Sequence, residues 1–185
     1  MNRLRQLIIS FALIWIVVKM GFFFTGNADE GLVIMVFLNL LLILLVEFFA
    51  LRFKYKTITL TDSNFLDDVK SCLRSASTYV IVIVLFSVVY YNFLHPEFYA
   101  DRVTDAITHA EEQAADPVFF EELVRRDTTM PEGTTPAQYV ENVREVAQRG
   151  ASWWFISGAS LMLLMIVSIF NSVFITLLFR KVLLK

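Results

Sequence analysis

The chain has 185 residues, 57% of them hydrophobic, a mean hydropathy of +0.61 and a formal net charge of −2. A soluble domain is roughly 45–50% apolar, so this excess, with 18 Phe, points to lipid. The single cysteine, Cys72, excludes an intramolecular disulfide and zinc-site spacing, and the chain carries no paired CxxC, Gly-rich phosphate loop or HExxH.

The first apolar run is Leu7 to Phe24, broken only by Lys19. It follows a basic start, Met1-Asn-Arg-Leu-Arg, but exceeds the ~7–15 residues of a secretory h-region. It is therefore expected to stay as an anchor. The second run, Leu32 to Leu51, contains Asn39 and Glu47. The third is Ala76 to Leu94 and the fourth Ser152 to Phe179. A bilayer core of roughly 30 Å needs about 20 helical residues, and in lipid the backbone must satisfy its own hydrogen bonds. The expected fold is an all-α membrane protein forming one domain over 1–185, with helices at about 5–25, 31–52, 75–95 and 151–181.

Between the second and third runs lies RFKYKTITLTDSNFLDDVKSCLRS, residues 52–75. Arg52, Lys54 and Lys56 suit anionic head groups. Asp62 or Ser63 is expected to cap a short amphipathic helix, with Phe65, Leu66, Val69 and Leu73 against the membrane. The segment from Pro96 to Gly150 is hydrophilic, with twelve acidic residues against five Arg. Three helical pieces are predicted in it. One starts at Pro96 and one at Pro117. The third carries Thr135 as N-cap, Pro136 at the first helical position and Gln138 completing a capping box. Its stripe is Tyr139, Val140, Val143, Val146 and Ala147. Such a cap is expected to fold over the outer ends of the bundle or over a partner.

Lys and Arg concentrate at one set of helix ends: Arg3 and Arg5, Arg52 to Arg74, and Arg180 to Lys185. Asp29, Glu30 and the acidic 96–150 segment lie at the other. The positive-inside rule then places both termini in the cytoplasm and the acidic loop outside.

Intramembrane polar residues are functional candidates by default. Lys19 lies about five residues from the outer end of its helix, close enough to extend its stem outward past Phe22 to Phe24. Glu47 has two readings: a functional carboxylate, or an inner-surface partner of Arg52, Arg74 or Arg180. Asn39 and Asn171 suit interhelical hydrogen bonds. Ser157, Ser160, Ser168, Asn171, Ser172 and Thr176 form a polar face on the fourth helix, expected to pack on other helices of this chain or of a partner. Trp15 is expected to pack mid-helix, whereas Tyr90, Tyr91, Trp153 and Trp154 mark an interfacial aromatic belt. His95 and Glu97 are two residues apart, with His109 near Glu111 and Glu112. A metal needs at least a third ligand, so the stretch YYNFLHPEF reads as a helix exit, with His95 held extended by Pro96.

The same stretch, with the ending LLFRKVLLK and the order of the parts, resembles domain-of-unknown-function family 4199, small integral membrane proteins of Bacteroidetes. His95 stands where that family usually carries an aspartate. The resemblance implies a bacterial inner membrane and no catalytic residues. No catalytic, cofactor-binding or metal residues are expected, and no nucleic-acid partner. The bilayer and other membrane proteins are the expected partners. The expected function is a non-catalytic accessory or scaffold subunit of a larger membrane complex. The alternative is a small oligomeric transporter or channel using Glu47, Asn39 and the polar face of the fourth helix.

Overall fold

A computed structural model describes residues 2–28, 30–59, 62–126, 130–131 and 133–183, without the side chains of residues 2, 153 and 183. Asp29 and Lys185 of the charge pattern, the Trp153 side chain, and residues 127–129 and 132 of the Thr/Pro/Gly-rich break lie outside the described residues. Among the described residues every regular element is helical: α1 (Asn2–Phe24), α2 (Gly31–Lys54), α3 (Phe65–Val89), α4 (Glu97–Ala115), α5 (Pro117–Arg126), α6 (Pro136–Gly150) and α7 (Trp153–Leu178). Four stretches are long and apolar enough to cross a bilayer: Arg3–Phe24, Gly31–Lys54, Phe65–Leu94 and Trp154–Val182. The protein is an all-α, multi-pass membrane protein. Its contacts divide it into two compact units, residues 1–86 with 160–185, and residues 87–159.

In the first unit, α1 and α2 form a tight hairpin. α1 stops because Gly26 takes φ +74 and two backbone bonds close over it, Gly26 N–H to Phe23 C=O (3.1 Å) and Asn27 N–H to Phe22 C=O (3.0 Å). This is the pairing by which a left-handed residue satisfies the last carbonyls of a helix. α2 restarts at Gly31, where the Phe22 ring lies so close that a Cβ would sit 2.5 Å from it. The core then runs between α1, α2 and α3 through Ala12, Trp15, Met35, Ile43, Val46 and Tyr79. Trp15 packs edge-on to Phe86 (6.2 Å), and its indole N–H donates to the Met35 carbonyl at 3.2 Å. Leu13, Val17, Val33, Phe37, Phe170 and Phe174 point outward, as lipid-facing residues should.

α3 differs from the expectation of a separate surface helix. Residues 65–73 are its first turns and are continuous with the third span. The cap is Asn64, whose side-chain oxygen accepts the Asp67 N–H at 2.8 Å, in place of Asp62 or Ser63. The face buried in the bundle is Asp68, Val69 and Cys72, while Phe65 and Leu66 are exposed. Asp62 instead accepts from the Thr59 amide and hydroxyl, which hold its carboxyl below the usual carboxylate range.

In the second unit, the helix that begins as α3 widens at Tyr90–Leu94 to one turn of i→i−5 bonding. His95 N–H donates to the Tyr90 carbonyl at 2.9 Å, and Asn92 donates to the Val88 carbonyl at 2.7 Å. Phe98 packs against Tyr91 (4.8 Å) and Tyr99 (5.4 Å), with the Arg102 guanidinium over its outer face. Asp116 opens α5 by accepting the Val118 and Phe119 amides. α6 carries both halves of the capping box, Thr135 N–H to Gln138 Oε1 (2.9 Å) and Gln138 N–H to Thr135 Oγ1 (3.3 Å). α4 packs along α6, with Ala110 buried and the Tyr139 hydroxyl donating to Gln113 at 2.8 Å. Phe120 of α5 is buried with its ring 5.8 Å from Tyr139.

Candidate functional site

At the basic end of the first unit, four segments meet on one carboxylate. Asp68 is fully buried near the start of α3. Its Oδ1 accepts from Lys54 Nζ (2.7 Å) at the end of α2 and from Ser63 Oγ (2.9 Å). Its Oδ2 accepts from the Tyr55 hydroxyl (2.6 Å) and from Arg180 Nε (2.7 Å), just beyond α7. A second guanidinium nitrogen of Arg180 donates to the Ser63 carbonyl at 2.6 Å. A carboxylate accepts only, and here both oxygens are filled by two cations and two hydroxyls. Burial first, and the bond to Asp68 second, raise the Tyr55 hydroxyl above its usual range. Beyond α7 the chain continues as a π turn over Phe179–Leu183, which carries Arg180. Phe179 stacks on the Tyr55 ring at 5.7 Å.

Deeper in the same unit, Glu47 is fully buried on α2. Ser172 Oγ donates to its Oε1 at 3.0 Å, and its Oε2 has no hydrogen-bond partner among the described residues. Cys72 lies beside it, its thiol 3.6 Å from the Glu47 carbonyl and 4.0 Å from Thr176 Oγ1. Toward the middle of the bundle, the Tyr79 hydroxyl donates to Asn39 Oδ1 at 2.9 Å.

The predicted polar residues therefore separate. Ser168, Ser172 and Thr176 are fully buried and face this chain's own α2 and α3, while Ser157, Ser160 and Asn171 are half-buried. Among the described residues Glu47 forms no ion pair with Arg52, Arg74 or Arg180, and Arg180 engages Asp68. Glu47 accepts its hydrogen bond from Ser172 instead. Lys19 is 3% exposed. Sequence reasoning missed Asp68 and Tyr55. The signal was available: Asp68, Cys72, Ser75 and Tyr79 recur at three- and four-residue intervals, so the buried stripe of the third span continues back to Asp68.

In the second unit, a groove of about 470 Å³ lies between α6 and the turn before it. It is lined by Tyr139, Val143 and Val146 of α6, by Met130 and Pro131, and by Ala106 of α4. Val146 is 69% exposed. His109 approaches Glu112 at 3.4 Å on an exposed face. Among the described residues, no three His, Cys, Asp or Glu side chains converge to hold a metal. No family model, curated protein or solved structure matches the chain.

Proposed function

We propose that this chain is a non-catalytic accessory or scaffold subunit of a larger complex in the bacterial inner membrane. Both termini lie in the cytoplasm, and the 96–150 segment is the outer, partner-facing part. The observation that carries this reading is the open apolar groove along α6, set in a segment whose five Arg face twelve acidic residues, a net of −7. An exposed apolar surface in a segment of net negative charge suits a partner of opposite sign. The occupant is a basic amphipathic segment of another membrane protein's extramembrane part. The inward pairing of Ser172 with Glu47 and of Arg180 with Asp68 supports docking through this segment and not through the fourth helix. The test is migration of the mildly extracted complex on native gels: Val146→Arg with Val143→Asp should return it to monomer size. Monomer migration of the unaltered chain would remove the reading.

One observation favours a transporter or channel instead: the second oxygen of Glu47, buried and without a partner, inside a span. Flux into proteoliposomes that Glu47→Gln leaves unchanged would eliminate it.

A further inference from the structure

Within the first unit, a groove of about 800 Å³ runs between the start of α1 and the first half of α3. Its chemistry is graded along its length. On α3, Lys70, Arg74, Thr78 and Val82 follow one another at four-residue intervals, a single file of about 18 Å at 1.5 Å per residue. On α1, Arg5 leads to Ile9 and Leu4 to Ile8 by the same spacing. The basic groups cluster at the helix ends and the apolar ones toward the bundle's middle. Half of a roughly 30 Å hydrocarbon core is about 15 Å, so the groove is one leaflet deep.

The charge balance favours an anion. Arg5, Lys54, Lys70 and Arg74 line the groove against one carboxylate, Asp67. Lys54 is committed to Asp68 and Ser63, and Lys70 meets Asp67 only at 3.9 Å on an exposed surface. Arg5 and Arg74 form no ion pair among the described residues, and both are exposed. Ser75 and Thr78 return their hydroxyls to the carbonyls of Ser71 and Arg74, so the wall above the arginines offers little free polarity. A soluble anion would leave the apolar half empty, and a neutral lipid would leave the arginines unanswered.

We infer that this groove is a binding site for an anionic glycerophospholipid, with its phosphate at Arg5 and Arg74 and one acyl chain lying along Ile9 and Val82. Its volume is in the range of about 300–1,000 Å³ usual for specific ligand sites. Basic pockets between spans are a general means of holding anionic head groups.

The test is native mass spectrometry of the full chain in mild detergent, titrated with dioleoyl-phosphatidylglycerol, dioleoyl-phosphatidylcholine or glycerol 3-phosphate. One phosphatidylglycerol should bind per chain, at least about tenfold more tightly than phosphatidylcholine, and glycerol 3-phosphate should not displace it. Arg5→Gln or Arg74→Gln should weaken binding about fivefold each and the pair about thirtyfold, by the usual worth of a basic residue at an anionic surface. Val82→Trp, which fills the chain half and keeps every charge, should also abolish binding. Unchanged affinity in the double arginine variant with native circular dichroism would overturn the proposal. So would displacement by glycerol 3-phosphate, or by an acidic peptide at equal concentration.

Discussion

Replacing Asp68 with leucine is the most informative single perturbation of the bundle. It removes the one carboxylate shared by Lys54, Tyr55, Ser63 and Arg180. Deleting one partner of a buried ion pair costs about 3–5 kcal/mol, because the charge left behind has no compensation. The two cation side chains retain 18% and 24% exposure, so they recover some hydration and the cost falls at the low end, about 3 kcal/mol. Removing the cations too should reverse most of that loss. The triple variant Lys54→Met, Asp68→Leu, Arg180→Met should lie within about 2 kcal/mol of the unaltered chain. The remainder is the Ser63 carbonyl, which loses its guanidinium donor, and the Tyr55 and Ser63 hydroxyls, which lose Asp68 as acceptor. The assay is reversible unfolding in mixed micelles by a denaturing detergent, followed by circular dichroism and tryptophan fluorescence. A single-variant cost under about 1 kcal/mol, or a triple variant as damaged as the single, would refute the role given to the pair network.

Three smaller predictions concern the same scaffold. The Tyr55 hydroxyl is raised in the folded state, so its contribution is complete below its unfolded pKa of about 10 and declines as pH rises from there through the folded value. The stability difference between the unaltered chain and Tyr55→Phe should be flat to about pH 10 and shrink above it. A flat difference to higher pH would be wrong for this geometry. Gly31→Ala brings a methyl against the Phe22 ring and should cost about 1–3 kcal/mol as overpacking, read in the same unfolding assay. Adding Phe22→Leu should recover part of it. Thr135→Ala removes the capping box of α6 and should cost that helix about 1 kcal/mol, seen as faster amide exchange at Gln138 and Tyr139 with α7 unaffected.

Much of the architecture could be read from the sequence because lipid imposes simple rules. Four apolar runs of sufficient length gave four helices, and Pro117 and the Thr135–Gln138 box opened α5 and α6 where expected. The start of α3 was harder. Phe65, Leu66, Val69 and Leu73 read as a membrane-facing stripe, whereas the buried face is Asp68, Val69 and Cys72, with Asp68 paired to Lys54 and Arg180. Asp68 follows Asp67 in a charged segment and so reads as solvated; its stripe with Cys72, Ser75 and Tyr79 signals burial but not the two cations that converge on it. The sequence likewise leaves Glu47 open to Arg52, Arg74 or Arg180, and only the fold brings Ser172 to it as donor. Lys19 is another residue whose surroundings the sequence leaves open; the structure leaves it 3% exposed.

The central claim is that the acidic segment, through the groove along α6, holds a partner. A photo-crosslinking amino acid at Val146 in living cells tests it most directly, with one at exposed Glu111 of α4 as the control. The account predicts one discrete adduct from Val146, mapping to a basic extramembrane segment of another membrane protein, absent from the Glu111 control and lost when Val143→Asp is added. Equal labelling from both positions, or an adduct unaffected by Val143→Asp, would contradict it.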